Sequence, residues 1–113
     1  MSSNVLKFNN TGTGLMQFDA DVPLSLSYRL VSVTCNFNAA PVSAENFTIT
    51  LDANAGAPYD LLLYTLDPGT TSTSDILWQP DEEILLEGND QIEVRYDNTD
   101  ARLYGLQVTM KVV

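Results

Sequence analysis

The sequence predicts an all-β protein, an antiparallel β-sandwich of about eight strands with the connectivity of a jelly roll. Three observations favour this fold class. Apolar and polar residues alternate in several runs, which places successive side chains on opposite faces of a strand. No segment has the apolar spacing of an amphipathic helix over three turns. Clusters of Asn, Asp, Gly and Pro separate the alternating runs, as turn residues do between strands.

Four alternating runs predict the most regular strands. In the first, "RLVSVTCNF", one face carries Val31, Val33, Cys35 and Phe37. The other three are "NFTITLD", "QIEVRY" and "YGLQVTMKV". The run "YDLLLYTLD" is apolar on both faces, which predicts a central strand that is covered on both sides. Three shorter strands are expected at residues 14–19, 75–79 and 84–86.

These strand phases define a predicted core. Its members are apolar residues in strand positions, together with the lone Trp: Val31, Val33, Phe47, Ile49, Leu51, Leu62, Trp78, Ile92, Val94, Leu106 and Val108. Truncation of a core residue such as Ile49 or Val94 to Ala is expected to cost about 1–4 kcal/mol. The single cysteine, Cys35, is interpreted as a small core residue. A chain without an intrachain disulfide is expected to be made in a reducing cytoplasm.

The 113 residues are expected to form one domain. Residues 14–113 are assigned to the sandwich. Residues 1–13 are polar and Asn-rich, and we expect either an added edge strand or an arm that a partner orders. The sequence contains no apolar run of about 18 residues that would span a membrane. It does not begin with the pattern of a secretory signal.

Composition argues against several functions. Fifteen acidic and five basic residues give a net charge of −10, and the basic residues are scattered along the chain. Nucleic acids and anionic membranes require a basic patch, so neither is an expected partner. The chain has no histidine, which excludes Ser-His-Asp and Cys-His catalytic sets and removes the commonest metal ligand. We expect neither enzymatic activity nor a cofactor.

The many carboxylates have two interpretations. Most fall in predicted turns or on the solvent face of a strand, and the segment "DNTD" is expected to form a hairpin connection. The alternative is calcium, because hard cations bind Asp, Asn and backbone oxygens. The weak calcium candidates are Asp52, Asn54, Asp97 and Asp100. Neither of their segments continues into an EF-hand loop, so no metal site is assigned.

Five segments together resemble a group of short tailed-phage proteins, minor virion components of the decoration or auxiliary capsid kind. In chain order they are "YRLVSVTCNF", "ENFTITLD", "GAPYDLLLYTLD", "SDILWQPDEEILLEGNDQIEVRYDNTD" and "YGLQVTMK". The resemblance extends over residues 24–113. Its most characteristic parts are Leu51–Asp60, Trp78–Pro80, Leu85–Leu86 and Gly88–Asp90.

The resemblance implies a β-sandwich without catalysis that attaches to a capsid or tail. Its partner would be the major capsid protein or another virion protein, and it would be made in the host cytoplasm and located in the virion. A second class of function stays open, a small carbohydrate-binding module with or without structural calcium. Two or three coplanar exposed aromatic side chains would favour that module, whereas buried aromatics would favour the virion component.

Self-association is expected because apolar residues occur near both ends of the chain. The N-terminal interaction candidates are Val5, Leu6 and Phe8. We expect a homo-oligomer, a trimer before a dimer, and the preference for a trimer follows from the resemblance, since capsid lattices offer three-fold sites. Deletion of residues 1–10 is expected to leave the sandwich folded, because the predicted core contains none of them, and to weaken capsid attachment or self-association.

Overall fold

The structure, a computed structural model that describes residues 4–24 and 26–113, is an antiparallel β-sandwich, which confirms the predicted fold class. The described residues form nine strands: β1 (Val5–Gly12), β2 (Met16–Asp21), β3 (Tyr28–Phe37), β4 (Phe47–Asp52), β5 (Leu61–Leu66), β6 (Asp75–Trp78), β7 (Leu85–Leu86), β8 (Gln91–Tyr96) and β9 (Tyr104–Val112). A 3₁₀ turn at Ala57–Tyr59 precedes β5, and the short helix α1 (Pro68–Thr71) follows it. Among the described residues, no helix is long and apolar enough to cross a membrane.

The strands are divided between two sheets. Sheet A has the order β1-β9-β3-β6, and β7 also pairs with β3. Sheet B has the order β2-β8-β4-β5. Because β8 lies in sheet B and β9 in sheet A, the connection between them crosses from one sheet to the other. The expectation of a hairpin at "DNTD" was wrong, because these turn residues lie in a connection between the two sheets.

The core lies between the two sheets and follows the predicted alternation in most strands. Eight of the predicted core residues are buried: Val33, Phe47, Ile49, Leu51, Ile92, Val94, Leu106 and Val108. Cys35 is also buried, as predicted. Burial raises the pKa of its thiol to about 12, because desolvation disfavours the thiolate.

Val31 is only partly buried, because β3 contains a bulge. The register between β3 and β9 shifts between Leu30 and Ser32. An extra residue at a bulge reverses the phase of the side chains that follow it. Tyr28 and Leu30 therefore face the core before the bulge, and Val33 faces it afterwards.

The prediction that "YDLLLYTLD" forms a central strand was wrong, and so was the placement of Leu62 in the core. β5 lies at the edge of sheet B, and the Leu62 side chain is 62% exposed. A strand with apolar residues on both faces is expected to be central when both faces are covered. Here the outer face is left open, so the same pattern produces an exposed apolar edge.

Trp78 is partly buried and packs against the core from β6. Its ring stacks on Tyr64 of β5, with 5.8 Å between the ring centroids and 27° between the planes. Trp78 therefore lies beside β5, as expected, although it is not largely buried. The pair closes the sandwich on the side where the edges of the two sheets meet.

Candidate interaction surfaces

Carboxylates fasten the loops at one end of the sandwich. The Asp100 carboxylate accepts hydrogen bonds from the backbone N–H groups of Val42 (2.9 Å) and Ser43 (2.8 Å) and from the Ser43 hydroxyl (2.8 Å). These bonds hold the pKa of Asp100 below its ordinary value. Conversely, the Glu45 carboxylate, in the β3–β4 segment, accepts hydrogen bonds from the backbone N–H and the hydroxyl of Thr99 in the β8–β9 connection. The segment between β3 and β4 is thus tied to the β8–β9 connection.

Two further aspartates organise turns. Asp67 caps α1 by accepting hydrogen bonds from the N–H (3.1 Å) and hydroxyl (2.8 Å) of Thr70, and these bonds lower its pKa. Asp90 accepts hydrogen bonds from the N–H groups of Asn54 and Glu87, both at 2.9 Å. The density of carboxylates in the sequence therefore corresponds in part to side-chain acceptors for loop N–H groups, which is a common use of Asp in turns.

The structure does not bring the calcium candidates together. Asp52 ends β4, and Asn54 meets Asp90 through its backbone. Asp97 is exposed at the end of β8, and the Asp100 carboxylate is occupied by the bonds described above. Among the described residues, no three His, Cys, Asp or Glu side chains are grouped so that they could hold a metal ion.

Asn98 is a buried polar residue whose role the sequence did not reveal. Its side chain is 4% exposed, and its backbone adopts a left-handed conformation with φ of 56°. The amide nitrogen donates hydrogen bonds to the carbonyl oxygens of Gly14 and Arg102, and the amide oxygen accepts one from the Arg102 N–H, all at 3.0 Å. Asn98 therefore ties the β8–β9 connection to the β1–β2 connection.

All three N-terminal interaction candidates have contacts within the chain. Leu6 and Phe8 lie on β1 and pack against the core, where they are partly buried. Val5 pairs with Lys111 of β9. Residues 5–12, for which the sequence left a strand and an arm open, form the edge strand of sheet A.

Most of the aromatic side chains that could bind sugar face inward. Tyr28, Tyr96 and Tyr104 are buried. Tyr64 and Trp78 stack on each other. Of the Tyr and Trp residues, all of which the structure describes, Tyr59 alone is strongly exposed, at 63%. A row of coplanar exposed rings is absent from the described residues.

The edge of sheet B formed by β5 presents apolar side chains to solvent. Leu61 is 57% exposed and Leu62 is 62% exposed. Tyr59 precedes them in the 3₁₀ turn. We name these three residues the β5 edge. An edge strand offers unpaired backbone N–H and C=O groups to another chain, so this surface combines open hydrogen-bonding groups with apolar area.

The other long edges carry charges that discourage pairing. β1 contains Lys7, and β2 contains Asp19 and Asp21. β6 contains Asp75. Charged residues on edge strands are a usual protection against unintended pairing. The six residues of β5 contain no charge, so β5 lacks this protection.

The outer face of sheet A collects three of the five basic residues of the chain, Lys7, Arg29 and Lys111, which we name the basic cluster. Each lies between inward-facing neighbours on its strand, so each points outward. Arg29 is paired directly with Lys111 across β3 and β9. The cluster is not evident from the sequence, because its residues are far apart in the chain and become neighbours only when β1 and β3 pair with β9.

The outer face of sheet B has the opposite charge. Asp19, Asp21, Asp52 and Glu93 lie on outward positions of β2, β4 and β8. Arg95 forms ion pairs there with Asp19 (2.9 Å) and Glu93 (3.3 Å). Partial burial raises the pKa of Glu93, and the nearby Arg95 opposes that rise. The two faces of the sandwich are therefore electrostatically different.

Comparison with known proteins shows a similarity of fold. No protein-family model matches the sequence, and no curated protein matches it. The chain is similar to one in the acidic stable capsid structure of Helicobacter pylori bacteriophage KHP30, with a TM-score of 0.54 and 13% identity over 96% of this chain and 93% of that chain. The chain thus shares its fold with a chain of that phage capsid structure.

Two other solved structures align over almost the whole chain but less closely. The nucleoplasmin-like N-terminal domain of Drosophila FKBP39 has a TM-score of 0.48 and 7% identity, and covers 100% of this chain and 95% of its own. PirA has a TM-score of 0.40 and 13% identity, and covers 100% of this chain and 96% of its own. Neither similarity is close enough to support a functional argument.

Proposed function

We propose that this chain is a non-enzymatic structural protein of a virion, which attaches to a phage capsid or tail and stabilises the particle. The observation that carries the proposal is the extent of the similarity to the KHP30 capsid chain, which covers 96% of this chain and 93% of that one. Two chains of nearly equal length thus share one sandwich from end to end. On this proposal the protein is made in the host cytoplasm and located in the virion.

The strand order agrees with the proposal without distinguishing it from the alternative. The order β1-β9-β3-β6 faces β2-β8-β4-β5, which we interpret as an eight-strand jelly roll with β7 as a short addition. Jelly rolls occur in viral capsid domains and also in lectin domains. The strand order is therefore compatible with both classes of function that the sequence left open.

The aromatic side chains favour the virion component over the carbohydrate-binding module. A sugar-binding platform needs exposed rings, because stacking takes place on the ring face. Tyr28, Tyr96 and Tyr104 are buried, and the faces of Tyr64 and Trp78 are directed at each other. Tyr59 exposes a single ring to solvent, and one ring does not form a sugar-binding platform.

We propose that the β5 edge is the attachment surface. An extended segment of the major capsid protein or of another virion protein would add a strand beside β5, a mode in which backbone hydrogen bonds supply affinity. Covering the exposed halves of Leu61 and Leu62 would contribute about 2–3 kcal/mol. The proposal includes self-association on the particle, with a trimer before a dimer.

The test is the rebinding of purified protein to particles assembled without it. The wild-type chain is expected to sediment with the particles and to raise the temperature at which they release their genome. The variant Leu61→Lys/Leu62→Lys is expected to remain in the supernatant, because it places two charges at the strand-addition surface. Val42→Lys/Leu103→Lys is the matched control, since it also adds two charges, at residues that are 73% and 50% exposed outside the β5 edge.

Two results separate the parts of the proposal. Binding by wild type and by Leu61→Lys/Leu62→Lys alike would exclude the β5 edge as the attachment surface but keep the virion function. Failure of the wild-type chain to bind, with the particles unchanged in stability, would contradict the function itself.

A further inference from the structure

The basic cluster on sheet A is electrostatically unfavourable within the isolated chain. Arg29 and Lys111 are directly opposed across β3 and β9, and like charges in that position destabilise a sheet. Lys7 lies on β1, diagonally adjacent to Lys111. Within residues 4–24 and 26–113, none of the three forms an ion pair or a side-chain hydrogen bond, since both ion pairs there involve Arg95. Among the described residues, no carboxylate therefore forms an ion pair with this cluster.

The complementary charges lie on the other side of the same face. The β6–β7 loop contains three exposed carboxylates, Asp81, Glu82 and Glu83. The loop is held beside β3 by a hydrogen bond of 3.1 Å from the Leu30 N–H to the Ile84 carbonyl. It forms one wall of a shallow cavity of about 340 Å³ whose other wall includes Arg29.

Charge therefore changes sign across the outer face of sheet A, in the direction perpendicular to the strands. Lys7 and Lys111 lie on the β1–β9 side, and the carboxylates of 81–83 lie on the β6–β7 side. A two-fold axis parallel to the strands reverses the order of the strands. It would place β1 of one copy over the β6–β7 side of the other and β9 over β3, so that Lys7 lies over the loop carboxylates and Lys111 lies beside them, over Arg29.

We propose that two copies of this chain associate through the outer faces of their A sheets, with Lys7 of each copy against the 81–83 loop of the other and Lys111 beside that loop. Such a contact is isologous, because one patch supplies both halves of the complementarity. The apolar Leu85, which is 57% exposed and lies beside Arg29 on the same face, becomes covered in it.

The dimensions of the molecule permit this contact. The principal extents are 41 × 38 × 24 Å. The shortest extent is the thickness of the sandwich, which comprises two sheets about 10 Å apart and the side chains on their outer faces. The remaining two describe a face on which about 800 Å² per partner, the area of a standard interface, can be buried.

A second copy fits this face better than a nucleic acid does. The net charge of −10 repels a phosphate backbone and a second copy alike at long range, so the local pattern of charge on this face decides between them. The three bases are bordered by three carboxylates on the same face, whereas a phosphate-binding surface is uniformly basic. The dimer concerns the protein in solution and does not depend on the proposed virion function.

The test uses charge reversal and analytical ultracentrifugation of the full chain. One variant reverses the bases (Lys7→Glu/Lys111→Glu), and a second reverses the acids (Asp81→Lys/Glu83→Lys). The matched control, Asp21→Lys/Asp97→Lys, has the same net charge as the second variant but changes residues away from the proposed contact. Circular dichroism and the melting temperature verify that each variant is folded.

Wild type and the control are expected to dimerise at tens of micromolar. Each reversed variant alone is expected to be monomeric, with the dimer dissociation constant raised about tenfold or more, because like charges then meet in both contact zones. An equimolar mixture of the two reversed variants is expected to dimerise again, since opposite charges are restored in both zones. Salt at about 1 M is expected to weaken the wild-type dimer, because the Debye length falls to about 3 Å.

A measurement on the wild type alone completes the test. Carbodiimide cross-linking of a mixture of isotopically light and heavy protein is expected to join Lys7 or Lys111 of one copy to the 81–83 loop of another. A monomeric wild type would overturn the proposal, and so would reversed variants that dimerise like wild type. A mixture of reversed variants that stays monomeric, or cross-links confined to other residues, would overturn the two-fold arrangement.

Discussion

Replacing Asn98 with Ala is expected to destabilise the protein strongly. The side chain is 4% exposed and makes three hydrogen bonds of 3.0 Å. A hydrogen bond contributes about 0.5–1.5 kcal/mol to stability. Ala at a left-handed position adds about 1 kcal/mol, and the φ of Asn98 is 56°. The expected loss is about 3–5 kcal/mol, a large share of the stability of a small domain.

Chemical denaturation monitored by circular dichroism measures this loss, and Asn89→Ala is the matched control. Asn89 also has a positive φ, 68°, but it is exposed, and its side chain forms no hydrogen bond with residues 4–24 or 26–113. Asn89→Ala therefore isolates the conformational cost, at about 1 kcal/mol. If the two substitutions destabilise the protein equally, Asn98 does not fasten the β1–β2 and β8–β9 connections as described.

Three further predictions concern the edge strand and the loops. Phe8→Ala is expected to cost about 2–3 kcal/mol in a denaturation experiment, because Phe8 packs against the core. A change near zero would restore the interpretation of residues 1–13 as an arm. Gly69→Ala is expected to cost about 2–3 kcal/mol, because its Cβ would lie 1.9 Å from the Ser43 carbonyl oxygen. Gly14→Ala, with nothing within 4 Å, is its control, and equal effects would refute the clash. Asp100→Asn is expected to lower the melting temperature near neutral pH. The lowered pKa of Asp100 stabilises the folded state above the unfolded pKa, and this contribution is lost as pH falls through the folded pKa. The melting temperatures of the wild type and of Asp100→Asn should therefore converge as the pH is lowered. A difference that stays constant with pH would show that the Asp100 carboxylate does not stabilise the fold in this way.

Alternation of apolar and polar residues was sufficient to predict the strands that lack irregularities. In β4 and β8, every predicted core residue, from Phe47 to Val94, is buried. β3 departs from simple alternation, because the bulge between Leu30 and Ser32 changes the phase within one run. No residue type in "RLVSV" marks that bulge, so Val31 was assigned to the core.

Features that depend on pairing between distant strands could not be read from the sequence. An apolar run such as that of β5 is compatible with a central strand and with an uncovered edge, and the order of strands decides between them. The basic cluster has the same origin, because Lys7, Arg29 and Lys111 become neighbours only when β1 and β3 both pair with β9. Asn98 was visible as a turn residue, but its partner Gly14 is 84 positions away.

Quantitative mass spectrometry of purified virus particles tests the central proposal most directly. If the chain is a virion structural protein, it should remain with particles through density-gradient purification, at a constant ratio to the major capsid protein. Particles produced with Leu61→Lys/Leu62→Lys in place of the wild-type chain should lack it and should release their genome at a lower temperature. Infectious particles that contain no trace of the wild-type chain, while the chain accumulates in the infected cell, would contradict the proposal.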